Sequence, residues 1–283
     1  MLYLLYNPMA NNGNSEKALN NFPKDFFNEE SKRVNVLELT DYEGFLRGLS
    51  KEDRIVIAGG DGTINNFINA AKNITLENEV YLYKLGTGND FMYDIGEQNN
   101  NMPVRINKYI ENLPRVYIND KEYAFINGVG FGLDGYCTEE GDRQRAKSDK
   151  KVNYTLIALK GILYKFKRRN AIVTIDGVTK EYKRVLIASA MMGRFYGGGM
   201  MITPMQDRLN KDRTITFSII RGSTRLRILT IFPKIFKGKH IKHTNVIHTE
   251  PAHEITVEFD VPCSLQIDGE TVLNVKKYTA KFE

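Results

Sequence analysis

Two short apolar runs in the first hundred residues each open into a glycine-rich turn that carries an acid. The run Ile55–Ala58 continues as GGDGT at 59–63, and the run Val80–Leu85 continues as GTGND at 86–90. An apolar run that ends in such a turn ahead of a helical pattern is typical of a strand in a parallel sheet covered by helices. One helix and one strand separate the two turns, so we expect them to lie side by side at the carboxyl edge of the sheet.

The alternation of apolar runs and helical patterns extends over residues 1–118. It predicts an α/β domain with a mostly parallel sheet, and we place the domain boundary near residue 118. The predicted strands are Tyr3–Tyr6, Val34–Leu39, Arg54–Ala58, Val80–Leu85 and Val116–Ile118, and the predicted helices are Ser15–Phe27, Asp41–Leu49, Thr63–Ala71 and Ile106–Leu113.

Residues 119–283 show a different pattern, in which strands follow one another with short turns. Two Asp-Gly pairs, at 176–177 and 268–269, are typical of tight hairpins. We predict a second domain that is an antiparallel β-sandwich, interrupted by helical patterns near 150–167 and 224–237. The predicted strands are Ala124–Val129, Ala171–Asp176, Lys183–Met191, Thr214–Ile220, Glu254–Phe259, Ser264–Ile267 and Val272–Phe282.

The chain carries 40 Lys and Arg against 34 Asp and Glu, a net charge of +6, which predicts an anionic partner. Its two cysteines lie far apart, so they provide no disulfide framework and favour a reducing compartment. No apolar run is long enough to span a bilayer, and the apolar start Met1–Tyr6 lacks the basic region of a signal peptide. We therefore expect a cytoplasmic protein, which lies on a membrane surface if it meets a membrane. The charge alone does not choose between nucleic acid, anionic lipid and phosphate ligands, and we expect no nucleic-acid partner.

The glycines of the GGDGT turn leave backbone N–H groups accessible to a phosphate, and the helix that follows adds its positive end. Asp61 would repel a bare phosphate, so its expected partner is a Mg²⁺ ion that neutralises the phosphate oxygens. A plain strand-to-helix turn has the same composition, but the second turn, ending at Asp90, favours a nucleotide site. Neither turn is GxxxxGK[ST] or a clean GxGxxG, so the common P-loop and dinucleotide motifs do not apply.

A third segment, Asn7–Gly13, follows the first predicted strand. Asn, Pro and Gly in that position form an ordinary turn in many proteins. Because this turn leaves the same edge of the sheet, we also consider it a wall of the nucleotide site.

Taken together, Asn7-Pro8, the GGDGT turn, LGTGNDF at 85–91 and Asp268-Gly269-Glu270 have the order and spacing of a known family. The chain resembles the diacylglycerol kinase catalytic-domain family, in particular the bacterial soluble lipid kinases, over essentially its whole length. The GGDGT turn alone is shared with NAD kinases and phosphofructokinases, whereas the combination is more specific. The resemblance implies an N-terminal nucleotide domain, a C-terminal β-sandwich and a site in the cleft between them.

The resemblance also implies which residues carry the chemistry. Glu270 matches the family's general base, which orients or deprotonates the lipid hydroxyl. Without the resemblance, the tripeptide Asp268-Gly269-Glu270 would indicate an ordinary hairpin turn. Asp61 and Asp90 would manage the catalytic metal and the phosphate geometry. The implied ATP-binding positions are Asn7, Pro8, Asn11, Thr40, Gly59, Gly60, Asp61, Gly62, Thr63, Asn66, Gly86 and Thr87.

Residues 197–214 resemble the family segment that holds a structural Mg²⁺ ion. Asp212 would supply a carboxylate, and Leu209 and Thr214 would supply backbone oxygens, a donor set that suits Mg²⁺. The alternative is a solvated loop that contains an acid. Arg213 stands where the family usually has glycine, and Asn66 stands where it usually has an acid.

Two stretches, Tyr154–Arg169 and Arg225–Lys242, interleave apolar residues with Lys and Arg at helical spacing. Such helices either lie on an anionic membrane or pack their apolar face into the core with the basic face in solvent. Beside a lipid kinase site we favour binding to anionic phospholipid. Pro233 is expected to interrupt or kink the second helix.

The sequence therefore predicts a lipid kinase at the inner face of the membrane. It would transfer the γ-phosphoryl group of Mg-ATP to a lipid hydroxyl, with diacylglycerol as the first candidate and phosphatidic acid as the product. One alternative is a kinase of a soluble substrate such as NAD or a sugar phosphate. Another is a nucleotide-binding regulatory module without catalysis. The identity of the lipid and the oligomeric state, a homodimer included, stay open.

Overall fold

The computed structural model describes residues 1–85, 89–148 and 152–283. The chain divides into two compact units, Met1–Asn112 and Leu113–Glu283. The division falls just before the strand that the sequence placed at the end of the first domain.

The first unit is built on a sheet in which four neighbouring strands run parallel. A short fifth strand at the edge runs antiparallel. The strands are β1 (Leu2–Tyr6), β2 (Ser31–Asn35), β3 (Arg54–Gly59), β4 (Glu79–Lys84) and β5 (Val104–Arg105). Their order in the sheet is β2-β1-β3-β4-β5. The predicted α/β architecture is confirmed, although β2 ends at Asn35 rather than at Leu39.

The helices of the first unit are short except for α4. They are α1 (Ala10–Gly13), α2 (Ser15–Ala18), α3 (Tyr42–Arg47), α4 (Asp61–Ala70), α5 (Asp90–Asp94) and α6 (Asn107–Ile110). The single helix predicted over Ser15–Phe27 is wrong, because α2 gives way to two 3₁₀ turns at Leu19–Asn21 and Lys24–Phe26. Phe22 is extended, as expected for a residue ahead of a proline, and Pro23 cannot continue a helix.

The second unit contains a nine-stranded antiparallel sheet and a small two-stranded ribbon. The strands are β6 (Arg115–Ile118), β7 (Lys121–Ala124), β8 (Gly128–Gly132), β9 (Arg169–Ile175), β10 (Val178–Met191), β11 (Phe195–Tyr196), β12 (Met200–Met201), β13 (Ile215–Arg221), β14 (Ile247–Ala252), β15 (Glu254–Ile267) and β16 (Glu270–Lys281). Two long strands each change partner along their length, so that β10 and β15 both pair with β8 at one end and with β9 at the other.

Register shifts in β10 and β15 mark the places where these strands change partner. The sheet thereby surrounds an aromatic and aliphatic core that includes Phe131, Phe217, Phe259 and Tyr278. The predicted strand Val116–Ile118 belongs to this sheet, since β6 pairs with β16. Its sequence could not indicate a partner more than 160 residues away.

Three helices accompany the second sheet, α7 (Leu133–Arg145), α8 (Tyr154–Lys160) and α9 (Arg225–Ile235). The sequence prediction missed α7. A π turn at Gly161–Lys165 follows α8, and the Arg225 guanidinium donates hydrogen bonds to the carbonyls of Gly161, Ile162 and Phe166. Helix α9 runs past Pro233 to Ile235, so the proline does not interrupt it.

The apolar face of α9 is buried in a second core through Ile228, Ile231 and Phe232, as the packing alternative predicted. The α8 segment differs, because Leu163 and Tyr164 are exposed. No helix in the described ranges is both long and apolar enough to cross a membrane.

Candidate active site

Three segments named by the sequence analysis leave the first sheet at the same edge. Tyr6 at the end of β1 lies opposite Ala58 of β3, and Ala58 lies opposite Tyr83 of β4. The Leu85 N–H donates to the Gly59 carbonyl oxygen at 3.0 Å, which continues the pairing into the second turn. The parallel register thus brings the turns after β1, β3 and β4 together.

The GGDGT turn leads directly into α4. Gly60 is the extended N-cap residue, and the helix begins at Asp61. A Cβ atom on Gly59 would lie 2.2 Å from Thr63 Oγ1, so the close approach of this strand end to the first helical turn requires glycine. The first turn and positive end of α4 therefore lie at the edge where the three segments meet.

The Asp61 carboxylate connects the two glycine-rich turns. Its Oδ2 accepts the Asp90 N–H at 2.8 Å and its Oδ1 accepts the Phe91 N–H at 3.1 Å. Asp61 and Asp90 are 9% and 5% exposed. Asp61 thus caps the N-terminus of α5, a structural role that the sequence prediction of a metal ligand did not include.

The other predicted nucleotide residues differ in their exposure. Asn7 closes its turn, since its Oδ1 accepts the Met9 N–H at 2.9 Å and its carbonyl oxygen accepts the Ser15 hydroxyl at 2.6 Å. Thr40 and Asn66 are exposed, and Pro8 and Gly62 are half-buried. Asn11 lies in α1, while Gly86 and Thr87 lie outside the described residues.

In the second unit, Asp268 holds the β15–β16 hairpin to a segment far away in sequence. Its two carboxylate oxygens accept the backbone N–H groups of Ile126, Asn127 and Gly128 at 2.8–2.9 Å. Asp268 has a φ of +49° and Gly269 a φ of +94°, which matches the tight hairpin predicted from the Asp-Gly pair. This turn places Glu270 at the first position of β16.

Glu270 is solvent-accessible but partly enclosed by protein. Partial burial raises the pKa of its carboxyl, the Asp142 carboxylate raises it further, and the Arg145 guanidinium opposes both. Asp142 accepts a hydrogen bond from Thr271 Oγ1 at 2.6 Å and pairs with Arg145 at 2.5 Å. A carboxylate with a raised pKa is a stronger base, which suits proton abstraction.

Sequence reasoning did not find Asp142 and Arg145, which α7 brings beside Glu270. The available signal was the spacing of acids and arginines, since Arg143 pairs with Glu139 and Glu140 at helical intervals. Apolar periodicity, the usual signal of an amphipathic helix, is largely absent from α7.

A second group absent from the sequence analysis is the buried Asp134 at the start of α7. It accepts hydrogen bonds from Ser189 Oγ at 3.0 Å and Tyr196 OH at 2.7 Å. Burial raises the pKa of Asp134 to about 7, and the two hydroxyl donors offset only part of that effect.

The loop predicted to hold magnesium is closed by side-chain amides. The Thr214 carbonyl oxygen accepts hydrogen bonds from Gln206 Nε2 at 3.0 Å and Asn210 Nδ2 at 2.9 Å. Asp212 and Leu209 are exposed, and the described residues contain no cluster of three His, Cys, Asp or Glu side chains suited to a metal. A cation at the Thr214 oxygen would compete with these amides, so magnesium at this loop stays a prediction.

The backbone conformation at Arg213 accounts for the glycine that the family usually has at this position. Its φ is +51°, a left-handed conformation that glycine adopts without strain. Its guanidinium donates to the Glu283 carbonyl oxygen at 2.7 Å and lies 5.2 Å from the Phe282 ring centroid. These contacts offset part of the backbone cost.

Two family models cover most of the chain. "Diacylglycerol kinase catalytic domain" matches residues 1–117, and "YegS C-terminal NAD kinase beta sandwich-like domain" matches residues 127–279, more than half of the chain. The fold and these matches define a kinase class built from an α/β domain and an antiparallel β domain. The chain belongs to the diacylglycerol kinase catalytic-domain family, with a YegS-type C-terminal domain.

Individual relatives are distant. A diacylglycerol kinase of Mycobacterium tuberculosis is 24% identical over 78% of this chain and 74% of its own length. "Putative lipid kinase YtlR" of Bacillus subtilis is 22% identical over 95% of this chain and 92% of its own. The crystal structure of a diacylglycerol kinase from Bacillus anthracis superposes with a TM-score of 0.67 at 18% identity, covering 98% of this chain and 92% of that one. The last comparison supports the fold.

Proposed function

We propose that the protein transfers the γ-phosphoryl group of Mg-ATP to the free hydroxyl of diacylglycerol, which yields phosphatidic acid. The observation that carries the proposal is the Glu270 hairpin. It combines a carboxyl of raised pKa with a turn that Asp268 fixes through three backbone hydrogen bonds. A positioned base of this kind is what a hydroxyl acceptor requires.

In this proposal Glu270 accepts the proton of the lipid hydroxyl as the oxygen attacks phosphorus. Asp268 does not contact the substrate but keeps the turn in place. Asp142 keeps Glu270 basic, and Arg145 limits the build-up of negative charge around the two carboxylates. Thr271 fixes Asp142 through its hydroxyl hydrogen bond.

The nucleotide is assigned to the edge of the first sheet. The N-terminal turn of α4 presents its positive end at this edge, which favours a phosphate, and Asp61 holds the second turn in register. Magnesium bound with ATP would neutralise phosphate charge during transfer. The donors available near this edge include the oxygens of Asp61 and Asp90.

The segment around α8 supports contact with an anionic membrane surface. Leu156, Leu163 and Tyr164 are exposed, and Lys160 and Lys165 are exposed among them. Apolar side chains interleaved with lysines suit the interface of an anionic bilayer. We assign this segment, rather than α9, to membrane contact.

The test is transfer from labelled Mg-ATP to lipids in mixed micelles that contain anionic phospholipid. The panel comprises diacylglycerol, monoacylglycerol, ceramide and a sphingoid base, with NAD in a separate reaction. We expect labelled phosphatidic acid, with kcat lowered by roughly 10²- to 10⁴-fold in Glu270→Gln. The matched control is Glu258→Gln on the same hairpin, where Glu258 pairs with Lys276, and it should keep wild-type turnover.

The pH profile provides a second readout. Because Glu270 must be ionised to accept a proton, transfer should rise with pH through its raised pKa, and this rise should be absent from the residual activity of Glu270→Gln. Labelled NAD without labelled lipid would replace the proposal with a soluble-substrate kinase. Unchanged turnover in Glu270→Gln would remove Glu270 from the reaction.

A further inference from the structure

A cavity in the second unit, separate from the elements assigned above to nucleotide binding, is lined by three cationic side chains. It is open to solvent and has a volume of about 500 Å³. Lys165, Lys167 and Arg169 come from the segment that joins the π turn to β9. The opposite walls come from α7 and from the region where β15 and β16 pair.

Arg169 provides a donor that the protein does not use. Its Nε atom is buried and has no hydrogen-bond partner among the described residues. Buried polar groups are almost always paired, so a guanidinium whose Nε finds no protein acceptor, on a side chain that lines a cavity, leaves its outer nitrogens free to bind an external acceptor. Guanidinium groups are well suited to phosphate oxygens because their donors are fixed in a plane.

The single acid on the cavity wall does not cancel the positive charge. Glu139 accepts the Ser264 hydroxyl at 2.5 Å and pairs with Arg143 at 2.9 Å. Its carboxylate is therefore already compensated by groups of the protein. The three cations face the cavity against this one paired acid.

The remaining walls combine apolar side chains with the polar Ser264 and Asn274. Tyr136, Phe166 and Leu273 line the cavity, and Leu273 is 61% exposed. A cavity with cations on one side and exposed apolar surface on the other matches a phosphate group that carries an apolar substituent. Leu273 follows Glu270 by three residues on β16, so the cavity lies along the same strand as the proposed base.

We propose that this cavity binds a phosphate group, with Arg169 as the central donor and Lys165 and Lys167 as supporting cations. The proposal goes beyond the proposed function, because binding here needs neither ATP nor transfer. The phosphate has two sources, a phospholipid headgroup or a free phosphate ion. These are distinguished by the probe that binds.

The test uses the full-length protein and titrations monitored by calorimetry. The probes are dihexanoylphosphatidic acid below its micelle concentration, inorganic phosphate, and dihexanoylglycerol as the uncharged counterpart. We expect Arg169→Gln to weaken phosphate binding at least tenfold and Lys167→Gln to weaken it less. Lys180→Gln, an exposed lysine on β10 away from the cavity, should bind as wild type.

Protection of Cys263 locates the binding. This thiol lines the cavity, and peptide mass spectrometry separates its alkylation from that of Cys137. A bound probe should slow alkylation of Cys263 in the wild type and not in Arg169→Gln. Protection by phosphatidic acid alone assigns the lipid headgroup, and protection by inorganic phosphate as well assigns the free ion.

The proposal is wrong if neither probe slows Cys263 alkylation, or if Arg169→Gln and Lys167→Gln are both protected like the wild type. Lys167 is exposed, so its variant keeps the test valid if Arg169→Gln fails to fold. Because no readout involves phosphoryl transfer, these results are independent of whether the protein proves to be a lipid kinase.

Discussion

Each of the two units has a glycine–aspartate turn whose aspartate accepts backbone hydrogen bonds, but over very different distances in sequence. Asp61 accepts two backbone N–H groups from the start of α5, about thirty residues away, and Asp268 accepts three from a segment 140–142 residues away. In both turns the carboxylate oxygens accept backbone hydrogen bonds and so have a structural role. The difference is that Asp61 joins two loops of one sheet edge, whereas Asp268 fixes the position of a neighbouring candidate base.

The largest effect is expected from Asp268→Ala, which removes the acceptor of three buried amides. Hydrogen bonds to a charged group contribute about 1.5–3 kcal/mol each, so we expect a loss of about 5 kcal/mol in unfolding free energy. Hydrogen exchange should accelerate at the Ile126, Asn127 and Gly128 amides. Exchange rates equal to wild type at these three amides would show that the turn is held by something else.

The next largest effect is the pH dependence of stability that the buried Asp134 is expected to produce. The pKa of Asp134 rises from 3.8 to about 7 because only hydroxyl groups compensate its burial. The folded protein therefore holds this proton more tightly than the unfolded chain. The stability that Asp134 contributes is complete below about pH 4 and is lost as the pH rises to about 7.

We expect wild type to lose up to about 4 kcal/mol from this group across that interval, at roughly 1.4 kcal/mol per pKa unit. Asp134→Asn should lack this part of the pH dependence. Chemical denaturation at several pH values measures the difference between the two proteins. Parallel stability curves would mean that Asp134 stays ionised when the protein folds.

Asp61→Ala should have a smaller effect on stability, about 3 kcal/mol, since it removes the acceptor of the Asp90 and Phe91 amides. From sequence alone we expect loss of transfer without unfolding, and the capping role adds a loss of stability to that expectation. Asp61→Asn keeps one acceptor oxygen and should recover part of the stability but not the transfer. Recovery of both would assign Asp61 a purely structural role.

The smallest effect concerns Arg213 in its left-handed conformation. Arg213→Gly and Arg213→Ala both remove the guanidinium contacts, but only glycine relieves the backbone cost. Their unfolding free energies should therefore differ by about 1 kcal/mol in favour of glycine. Equal thermal midpoints would show that the loop relaxes to another conformation.

The sequence predicted the elements whose signals are local. The parallel strands, the GGDGT turn and the two Asp-Gly hairpins all follow from composition and spacing within a few residues. The resemblance added the connection between Asp61, Asp90 and Glu270, which no local pattern contains.

The features that the sequence did not predict depend on contacts between segments that are distant in sequence. The strand at Arg115–Ile118 looks like the next strand of the first sheet until its partner, β16, is known. Asp142 and Arg145 lie on a helix stabilised by charge pairs, so apolar periodicity missed them. The orphaned Arg169 donor is a property of packing and has no sequence signal at all.

The separation of 140–142 residues between Asp268 and the amides it binds affects the order in which the chain can fold during synthesis. The β2-β1-β3-β4-β5 sheet has all its strands within the first 112 residues, so it can form while the rest of the chain is still being translated. The amides of Ile126, Asn127 and Gly128 can form their hydrogen bonds to Asp268 only after residue 268 has left the ribosome. Strand β6 can pair with β16 only later still. The hairpin that carries the candidate base is thus assembled only after residue 268 has been translated, and a chain truncated before that residue leaves the amides of Ile126, Asn127 and Gly128 without this acceptor.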